Sequence, residues 1–439
     1  MPDPLTTRTV ASFDDVVAST QAGSRAPSLI AGVVRGGALV HVATAGQTPR
    51  PDRDTQYRIG SITKIFTAVL VLGLRDEGRL DLDDLVVDHL PGLDLPGVRM
   101  RALLGQASGL QREPDGRWWE RHAGGGVDEL LAGVGPHKLA FGPYQRYHYS
   151  NLGYGLLGAV VERHTGGTWW EAVRTRLLEP LGMRRTTYQA SEPFARGYVA
   201  HPWHHTLREE PREDHGAMAP AGQLWSTVDD LAQLAAALAG HRPEVLAPGT
   251  LDLMAQPVAI ADPESWTRGY GLGLQLARSG NRVYIGHTGS MPGYLANVLV
   301  HRGSGTGVVI FTNTYTLPGS AIGRVGVRLL DLVLDTEPVP ARTWLPAAAP
   351  PPAPIAPLCG RWWWMGREYE ARWDGVALVL QGTAAGAEAW SFTPEGPDRW
   401  RGRTGEQAGE VLAVLRDAHG NVVGLDLATF VFRRAPLDD

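Results

Sequence analysis

Three groups of polar residues, widely separated along the chain, combine the side chains that acyl-transfer chemistry needs. The first group is Ser61 with Lys64, in the segment 59–66. Residues three apart on a helix share one face, so this spacing predicts a hydroxyl within hydrogen-bond reach of an amine. A buried amine is partly neutral and can accept the hydroxyl proton, which activates the serine. We therefore predict Ser61 as the nucleophile and Lys64 as its proton acceptor.

The choice of cations along the chain supports a special role for this lysine. Lysine and arginine together number 41, yet lysine occurs only at positions 64 and 138. Arginine cannot lose its proton near neutral pH, whereas a desolvated lysine can. A lysine kept in a chain so rich in arginine is a candidate base.

The second and third groups complete a known pattern. They are Tyr149-x-Asn151 and His287-Thr288-Gly289. In this order after Ser-x-x-Lys, they resemble the three-part signature of class C β-lactamases, DD-peptidases and related esterases. Ser-x-x-Lys alone is common by chance, whereas the three motifs in order are specific. The resemblance extends over about residues 10–335 and includes supporting segments at 103–110, 180–183 and 221–227.

The resemblance implies a role for each residue. Ser61 attacks the acyl carbon and Lys64 accepts or relays its proton. Tyr149 is the second acid or base, and Asn151 hydrogen-bonds Lys64 and the substrate amide. The backbone N–H groups of Ser61 and Ser290 form the oxyanion hole.

His287 departs from the family pattern, in which lysine is commoner at this place. An ordinary histidine, with a pKa of about 6.5, is mostly neutral at pH 7. We expect weaker binding of a free carboxylate and a preference for amides, esters or thioesters; the alternative is a histidine that only packs and donates one hydrogen bond. Thr288 and Gly289 are predicted to bind substrate, and Trp225 is predicted to line the cleft.

The elements that position these residues follow from apolar periodicity. Helices are predicted at 11–22, 61–75, 152–163, 168–178, 227–239 and 319–335. Strands are predicted at 29–35, 39–45, 272–277, 282–286, 295–301 and 307–312. The resemblance implies an α/β (α+β) β-lactamase/transpeptidase-like fold, with an antiparallel sheet flanked by helices and an all-helical subdomain.

The composition changes after the last of these helices. Residues 336–357 are rich in proline and alanine and predict an extended linker between a catalytic domain at 1–335 and a small domain at 358–439. The small domain alternates short apolar runs with turn residues, which predicts an antiparallel β-barrel, lipocalin-like in type. Its strands are predicted at 361–364, 369–373, 376–381, 387–392, 398–401, 410–415, 422–425 and 428–433.

Several function classes are disfavoured. The net charge is −5 without long runs of like charge, so we expect neither nucleic acid nor membrane as a partner. The single cysteine, Cys359, provides neither a disulfide nor a thiolate metal site. Gly153–Gly158 matches a dinucleotide fingerprint but follows no strand, and His201, His204 and His205 share a loop without carboxylate partners. We expect no cofactor and no metal.

Three routes are open for the acyl-enzyme. Water resolves it in a DD-peptidase or DD-carboxypeptidase, a β-lactamase or an esterase. The second route is that of a D-aminopeptidase or D-peptide hydrolase. In the third, the chain resembles penicillin-binding-protein-type thioesterases, which macrocyclise nonribosomal peptidyl thioesters taken from a carrier protein. The chain as given has no export signal, which favours a cytoplasmic location and disfavours cell-wall substrates. We favour the third route, with a cytoplasmic esterase or D-peptide hydrolase as the alternative.

Overall fold

Two compact units make up the chain, Met1–Pro338 and Val339–Asp439. The computed structural model describes residues 4–46, 50–317, 319–337, 346 and 349–436. Ten of the 22 residues of the predicted proline-rich linker, 338–345, 347 and 348, lie outside the described residues. The linker and the domain boundaries therefore stay sequence predictions.

The first unit is built on an eight-stranded sheet whose neighbouring strands are all antiparallel. Its strand order is β2-β1-β12-β11-β10-β9-β8-β7. Two short pairs, β3 with β6 and β4 with β5, lie outside it. The strands are β1 Ser28–Arg35, β2 Ala38–Gly46, β3 Tyr57–Arg58, β4 Tyr198–Ala200, β5 Leu207–Glu209, β6 Trp225–Ser226, β7 Ala259–Ile260, β8 Arg268–Tyr270, β9 Gln275–Ser279, β10 Arg282–Met291, β11 Tyr294–His301 and β12 Thr306–Thr312.

Twelve α-helices of the described chain surround this sheet or form a helical region beside it. They are α1 Thr7–Ser24, α2 Thr63–Asp76, α3 Val86–His89, α4 Met100–Leu104, α5 Val127–Ala132, α6 Asn151–Thr165, α7 Trp169–Val173, α8 Glu179–Leu181, α9 Ala219–Gly222, α10 Val228–Leu238, α11 Pro248–Met254 and α12 Gly319–Thr336. A π-helical turn, Arg174–Leu178, joins α7 to α8 and completes the helix predicted at 168–178. No helix of the described residues is long and apolar enough to cross a membrane.

The sheet is buried on both faces, which explains the continuous apolar runs of its central strands. Along β1, Leu29, Ala31 and Val33 join a core shared with α1 and α12. The alternate residues Ile30 and Val34 join the larger core that contains α2, α6 and α10. Helix α2 crosses this larger core, so almost every residue of its first three turns is buried. The first catalytic motif therefore starts on a helix that has little freedom to move.

The second unit is a nearly closed barrel of eight antiparallel strands in simple up-and-down order. The strands are β13 Gly360–Trp364, β14 Arg367–Trp373, β15 Leu378–Gly382, β16 Ala389–Gly396, β17 Arg399–Gly402, β18 Val411–Arg416, β19 Val422–Leu427 and β20 Phe430–Phe432. Trp363 and Arg433 exchange backbone hydrogen bonds of 2.8 Å and connect the first strand to the last. The barrel predicted from the sequence is confirmed, with each strand within a few residues of its expected place. Large side chains such as Trp362, Phe392 and Trp400 fill its interior.

Two helical glycines provide a matched test of the packing in the first unit. A Cβ at Gly158 in α6 would lie 2.1 Å from Pro220 Cγ, whereas a Cβ at Gly73 in α2 would meet nothing within 4 Å. We expect Gly158→Ala to lower the free energy of unfolding by about 1–3 kcal/mol through overpacking. Gly73→Ala should raise it by about 0.5–1 kcal/mol, because alanine loses less backbone entropy. Scanning calorimetry of both variants checks this, and equal shifts of the melting temperature would contradict it.

Candidate active site

The candidate nucleophile lies at the entrance to α2. Ser61 is in a 3-10 turn, Gly60–Ile62, that continues directly into the helix. Gly60 has a φ of +51°, and a Cβ there would lie 2.5 Å from the backbone nitrogen of Ser290 on β10. Glycine is required by both the left-handed conformation and the close approach of the two backbones. The same closeness brings together the two segments whose N–H groups are predicted to form the oxyanion hole.

Lys64 is fully buried one turn further along the chain. Its Nζ donates hydrogen bonds to Ser61 Oγ at 3.0 Å and to the carbonyl oxygen of Ala221 at 2.6 Å. Burial lowers the pKa of Lys64 to about 7, while the charges of Glu113 and Glu120 oppose this shift. About half of the molecules therefore carry a neutral amine at neutral pH. At 3.0 Å this neutral amine can accept the proton of the serine hydroxyl.

Tyr149 covers the same lysine. The centre of its ring lies 5.1 Å from Lys64 Nζ. Burial raises the pKa of Tyr149 well above its ordinary value, although a hydrogen bond with Ser61 lowers it in part. The phenol is therefore protonated near neutral pH and is suited to donate a proton rather than to accept one. Two roles were predicted for Tyr149, as an acid or as a base. Its raised pKa favours the acid.

Asn151 begins α6 beside these residues, but its contacts differ from the prediction. Its Nδ2 donates to both carboxylate oxygens of Glu113 at 2.9 Å. The hydrogen bonds of Lys64 go instead to Ser61 and Ala221, so the expected bond between Asn151 and Lys64 is not present. Asn151 Oδ1 is buried without a hydrogen-bond partner among the described residues. A substrate N–H group would satisfy this oxygen, in keeping with the predicted contact to the substrate amide.

His287 requires a larger correction. The residue is 1% exposed, and its Nδ1 lies 2.5 Å from the carbonyl oxygen of Thr288 while its Nε2 lies 2.9 Å from the hydroxyl of Tyr270. Because a carbonyl only accepts, Nδ1 carries the proton and Nε2 accepts from Tyr270. Burial, and secondarily the charge of Lys64, lowers the pKa of His287 to about 3. The ring is neutral and held within the protein, which favours the packing alternative over a contact to substrate.

The rest of the third motif is held by its neighbouring strand and by the nucleophile turn. Gln275 Oε1 accepts hydrogen bonds from the backbone nitrogen and Oγ1 of Thr288, at 3.0 and 3.1 Å. A Cβ at Gly289 would lie 1.8 Å from the carbonyl oxygen of Ile59, so only glycine fits there. Ser290 Oγ donates to the hydroxyl of Tyr315 at 3.4 Å. The substrate-binding and oxyanion roles stay predictions that this arrangement favours.

Trp225 does not lie where the sequence suggested. It is 2% exposed and packs against the rings of Phe194 and Tyr294, with centroids 5.7 and 5.2 Å away. The cavity that it lines, of about 580 Å³, includes none of the motif residues. Trp225 is therefore a core residue of the β3–β6 pair and not part of the cleft at Ser61.

Two acidic residues whose charges act on Lys64, Glu113 and Glu120, were not identified from the sequence. Glu113 accepts from Asn151 and also from Trp119 Nε1 at 2.7 Å. Burial, followed by the charge of Glu113, raises the pKa of Glu120 to about 7. The only signal in the sequence is that both follow the supporting segment 103–110, which is too weak to place them beside Lys64.

The second lysine of the chain holds the segment that carries Glu113. Lys138 is 5% exposed and makes an ion pair with Asp115. Gln111 donates to the same carboxylate at 3.0 Å and to the backbone oxygen of Glu113 at 2.6 Å. Lys138 is thus a structural cation rather than a second base.

Residues 13–331, which make up most of the first unit, match the β-lactamase family. This chain belongs to the β-lactamase family. Residues 351–434 match a second family, described only as a domain of unknown function. The fold is the β-lactamase/transpeptidase-like fold predicted above, and the family makes the chain a serine hydrolase-type enzyme.

Several individual proteins are similar to this chain over most of its length. The human putative β-lactamase-like protein 1 is 30% identical over 69% of this chain, which spans only 62% of that protein's own length. Penicillin-binding protein 4 of Amycolatopsis lactamdurans is 28% identical over 76% of this chain and 88% of its own. Among solved structures, a D-stereospecific amidohydrolase from Streptomyces sp. is 27% identical, with a TM-score of 0.63. The match covers 76% of this chain and 98% of the amidohydrolase chain. The protein SurE covers 98% of both chains at 24% identity and a TM-score of 0.63, which shows a shared fold.

The pKa of Lys64 predicts the pH dependence of acylation. The rate of acylation of Ser61 by an activated ester should rise with pH, with a midpoint near 7, because the neutral amine is the base. Lys64→Arg keeps the charge but cannot accept the proton, so the rate should fall at least about a hundredfold. Glu120→Gln removes a charge that raises the pKa of Lys64, so the midpoint should move to lower pH. A flat profile between pH 5.5 and 8.5, or an active arginine variant, would contradict this role for Lys64.

Proposed function

We propose that the chain is a serine acyltransferase that releases a peptidyl thioester by joining its two ends, as penicillin-binding-protein-type thioesterases do. In this proposal the acyl donor is a peptide carried on a peptidyl carrier protein or on a small thiol. The observation that carries the proposal is the Ser61–Lys64 pair, whose lysine is half neutral at pH 7. A base of this kind can accept a proton from a nucleophilic amine as well as from the serine hydroxyl.

The proposed reaction has two halves that use the same groups. Ser61 Oγ forms a bond to the thioester carbon and gives its proton to Lys64; the C–S bond breaks and the thiol leaves with that proton. The peptide's own amine then attacks the ester and gives its proton to Lys64. The C–O bond breaks and Ser61 regains its hydrogen. Tyr149, protonated at neutral pH, is suited to relay this proton in each half: it donates its own proton to the leaving atom and takes up the one held by Lys64.

The charges of the site support a neutral acyl donor and an amine acceptor. His287 is neutral and buried, so the third motif offers no fixed cation to a substrate carboxylate. Glu113 and Glu120 raise the pKa of Lys64, so their charges favour a cation at this place, although Arg112, which is paired with Glu113, opposes them. The tethered amine has a high effective concentration, which favours its attack over that of water.

A D-configured acyl residue is part of the proposal. The Streptomyces structure that matches the catalytic unit at 27% identity is described as a D-stereospecific amidohydrolase. By analogy with that protein, we expect this chain to prefer a D-residue at the carbonyl carbon that Ser61 attacks.

The products of a defined thioester test the proposal. A peptidyl N-acetylcysteamine thioester with a free amino terminus and a C-terminal D-residue should give a product one water lighter than the linear acid, detected by mass spectrometry. The L-epimer should react at least about tenfold more slowly. The same peptide acetylated at its amino terminus cannot cyclise, and Ser61→Ala should give no product from either. If several thioesters with C-terminal D-residues give only the linear acid as product, the cyclase proposal is wrong.

A second candidate function, hydrolysis of D-aminoacyl amides or D-peptides, is favoured by the acidic pair. Glu113 and Glu120 both act electrostatically on Lys64, and carboxylates near the base are candidate partners for the free α-ammonium group of a short substrate. In that case the acids recognise the acyl donor itself, and water resolves the acyl-enzyme.

Paired substrates separate the two functions. For a D-amino acid amide, hydrolysis should be seen with the free amine and should be lost or strongly weakened when the amine is acetylated. Glu120→Gln should raise KM for the free amine about five- to tenfold, as expected for one partly exposed ion pair of about 1 kcal/mol, and leave the acetylated substrate unchanged. Equal KM changes for both substrates would mean that the acids do not contact the amine.

A further inference from the structure

A second cavity, of about 370 Å³, lies beside the segment that anchors the catalytic lysine. Ala219 and Pro220 form part of its wall, and the next residue, Ala221, supplies the carbonyl oxygen that accepts from Lys64. None of the motif residues lines the cavity, and neither Glu113 nor Glu120 does. The cavity is therefore separate from the candidate active site, although it shares a chain segment with it.

The walls of this cavity combine two carboxylates with three aromatic rings. These residues are Glu162, Asp214, Trp169, Trp170 and Tyr188. Among the described residues that line the cavity there is no lysine, arginine or histidine. Carboxylates without a cationic partner in the same wall, together with aromatic faces, attract organic cations and repel anions.

Both carboxylates are fixed in place by hydrogen bonds to one of their two oxygens. Asp214 Oδ1 accepts from the hydroxyl of Tyr188 at 2.5 Å and from the backbone nitrogen of Gly216 at 2.9 Å. Glu162 Oε1 accepts from the backbone nitrogen of Trp169 at 2.9 Å. Burial and the bond to Asp214 raise the pKa of Tyr188, and the charge of Glu162 adds to this effect, whereas the charge of Arg58 opposes it. Both acids thus act on the hydroxyl of Tyr188, a residue that lines the cavity.

The aromatic rings give the cavity an apolar wall beside this charge. The rings of Trp170 and Tyr188 lie 5.8 Å apart at an angle of 57° and form a corner. Trp169 Nε1 donates to Thr67 Oγ1 at 3.1 Å, and Thr67 Oγ1 donates to the carbonyl oxygen of Pro220 at 2.9 Å. The wall is therefore tied to α2, three residues beyond Lys64.

We propose that this cavity binds a small organic cation, an alkylammonium or alkylguanidinium group with a short apolar stem. The charged end contacts Glu162 and Asp214, and the stem lies against Trp170 and Tyr188. Two sources supply such chemistry: a free small amine, or the basic side chain of a substrate. The proposal concerns a site outside the Ser61 cleft and does not depend on the reaction proposed above.

Calorimetric titration with agmatine, a four-carbon chain with a guanidinium group at one end and an ammonium group at the other, tests the proposal. We expect saturable binding with a dissociation constant in the millimolar range or below, and none with the neutral 1-butanol. Glu162→Gln and Asp214→Asn keep an oxygen acceptor for the bonds from Trp169, Tyr188 and Gly216 but remove the charge. Each should weaken binding about five- to tenfold, with the melting temperature reporting any loss of fold. The exposed Glu264, outside the cavity, gives the matched control Glu264→Gln, which should bind like the wild type.

Binding at the candidate active site must be separated from binding at this cavity. The double variant Glu113→Gln/Glu120→Gln should retain agmatine binding in full; loss of binding in it would overturn the proposal. If agmatine changes the rate at which Ser61 is acylated by every activated ester, it acts as a free effector, whereas competition confined to esters with basic side chains would identify a substrate subsite. No saturable binding to the wild type, or equal binding of agmatine and 1-butanol, would also overturn the proposal.

Discussion

The desolvation of one amine governs the chemistry of this protein. Lys64 is fully buried, and removing an ammonium group from water disfavours its charged form, which brings its pKa to about 7. Ser61 Oγ and the Ala221 carbonyl fix the direction of the amine, and the charges of Glu113 and Glu120 limit the fall of its pKa. Burial outweighs these charges, because the pKa still falls from 10.5 to about 7, and the acids prevent a further fall.

Backbone contacts impose a second constraint, because the nucleophile turn and β10 approach closely at two points. Cβ atoms added at Gly60 and Gly289 would meet Ser290 and Ile59 backbone atoms at 2.5 and 1.8 Å. Side chains at either position would separate the strand from Ser61 and, with it, the two amide groups predicted to stabilise an oxyanion. The precision of the site therefore depends on glycine packing as much as on the polar residues, and the buried two-faced sheet makes that packing rigid.

The fold was largely predictable because periodicity reflects burial, residue by residue. The helix predicted at 61–75 and the strands of the barrel lie within a few residues of their expected bounds, since each is set by local apolar spacing. The contacts of Asn151, His287 and Trp225 were not predictable. Each depends on a partner distant in sequence, such as Tyr270 or Glu113, and on small differences in burial that a motif does not encode. Motifs predict which residues meet; they do not predict which hydrogen bonds form.

These differences change the charge that a substrate meets. In the family that the motifs resemble, a lysine in the third motif provides a cation for a substrate carboxylate. Here His287 is buried and neutral, and the charges that act on Lys64 are those of the acids Glu113 and Glu120, opposed by Arg112, which is paired with Glu113. The third motif therefore offers no cation to a substrate carboxylate. The acids that raise the pKa of Lys64 would also attract an ammonium group, which would lower that pKa and favour the neutral base. The amine acceptor proposed above and the activation of Lys64 are thus linked through the same two charges.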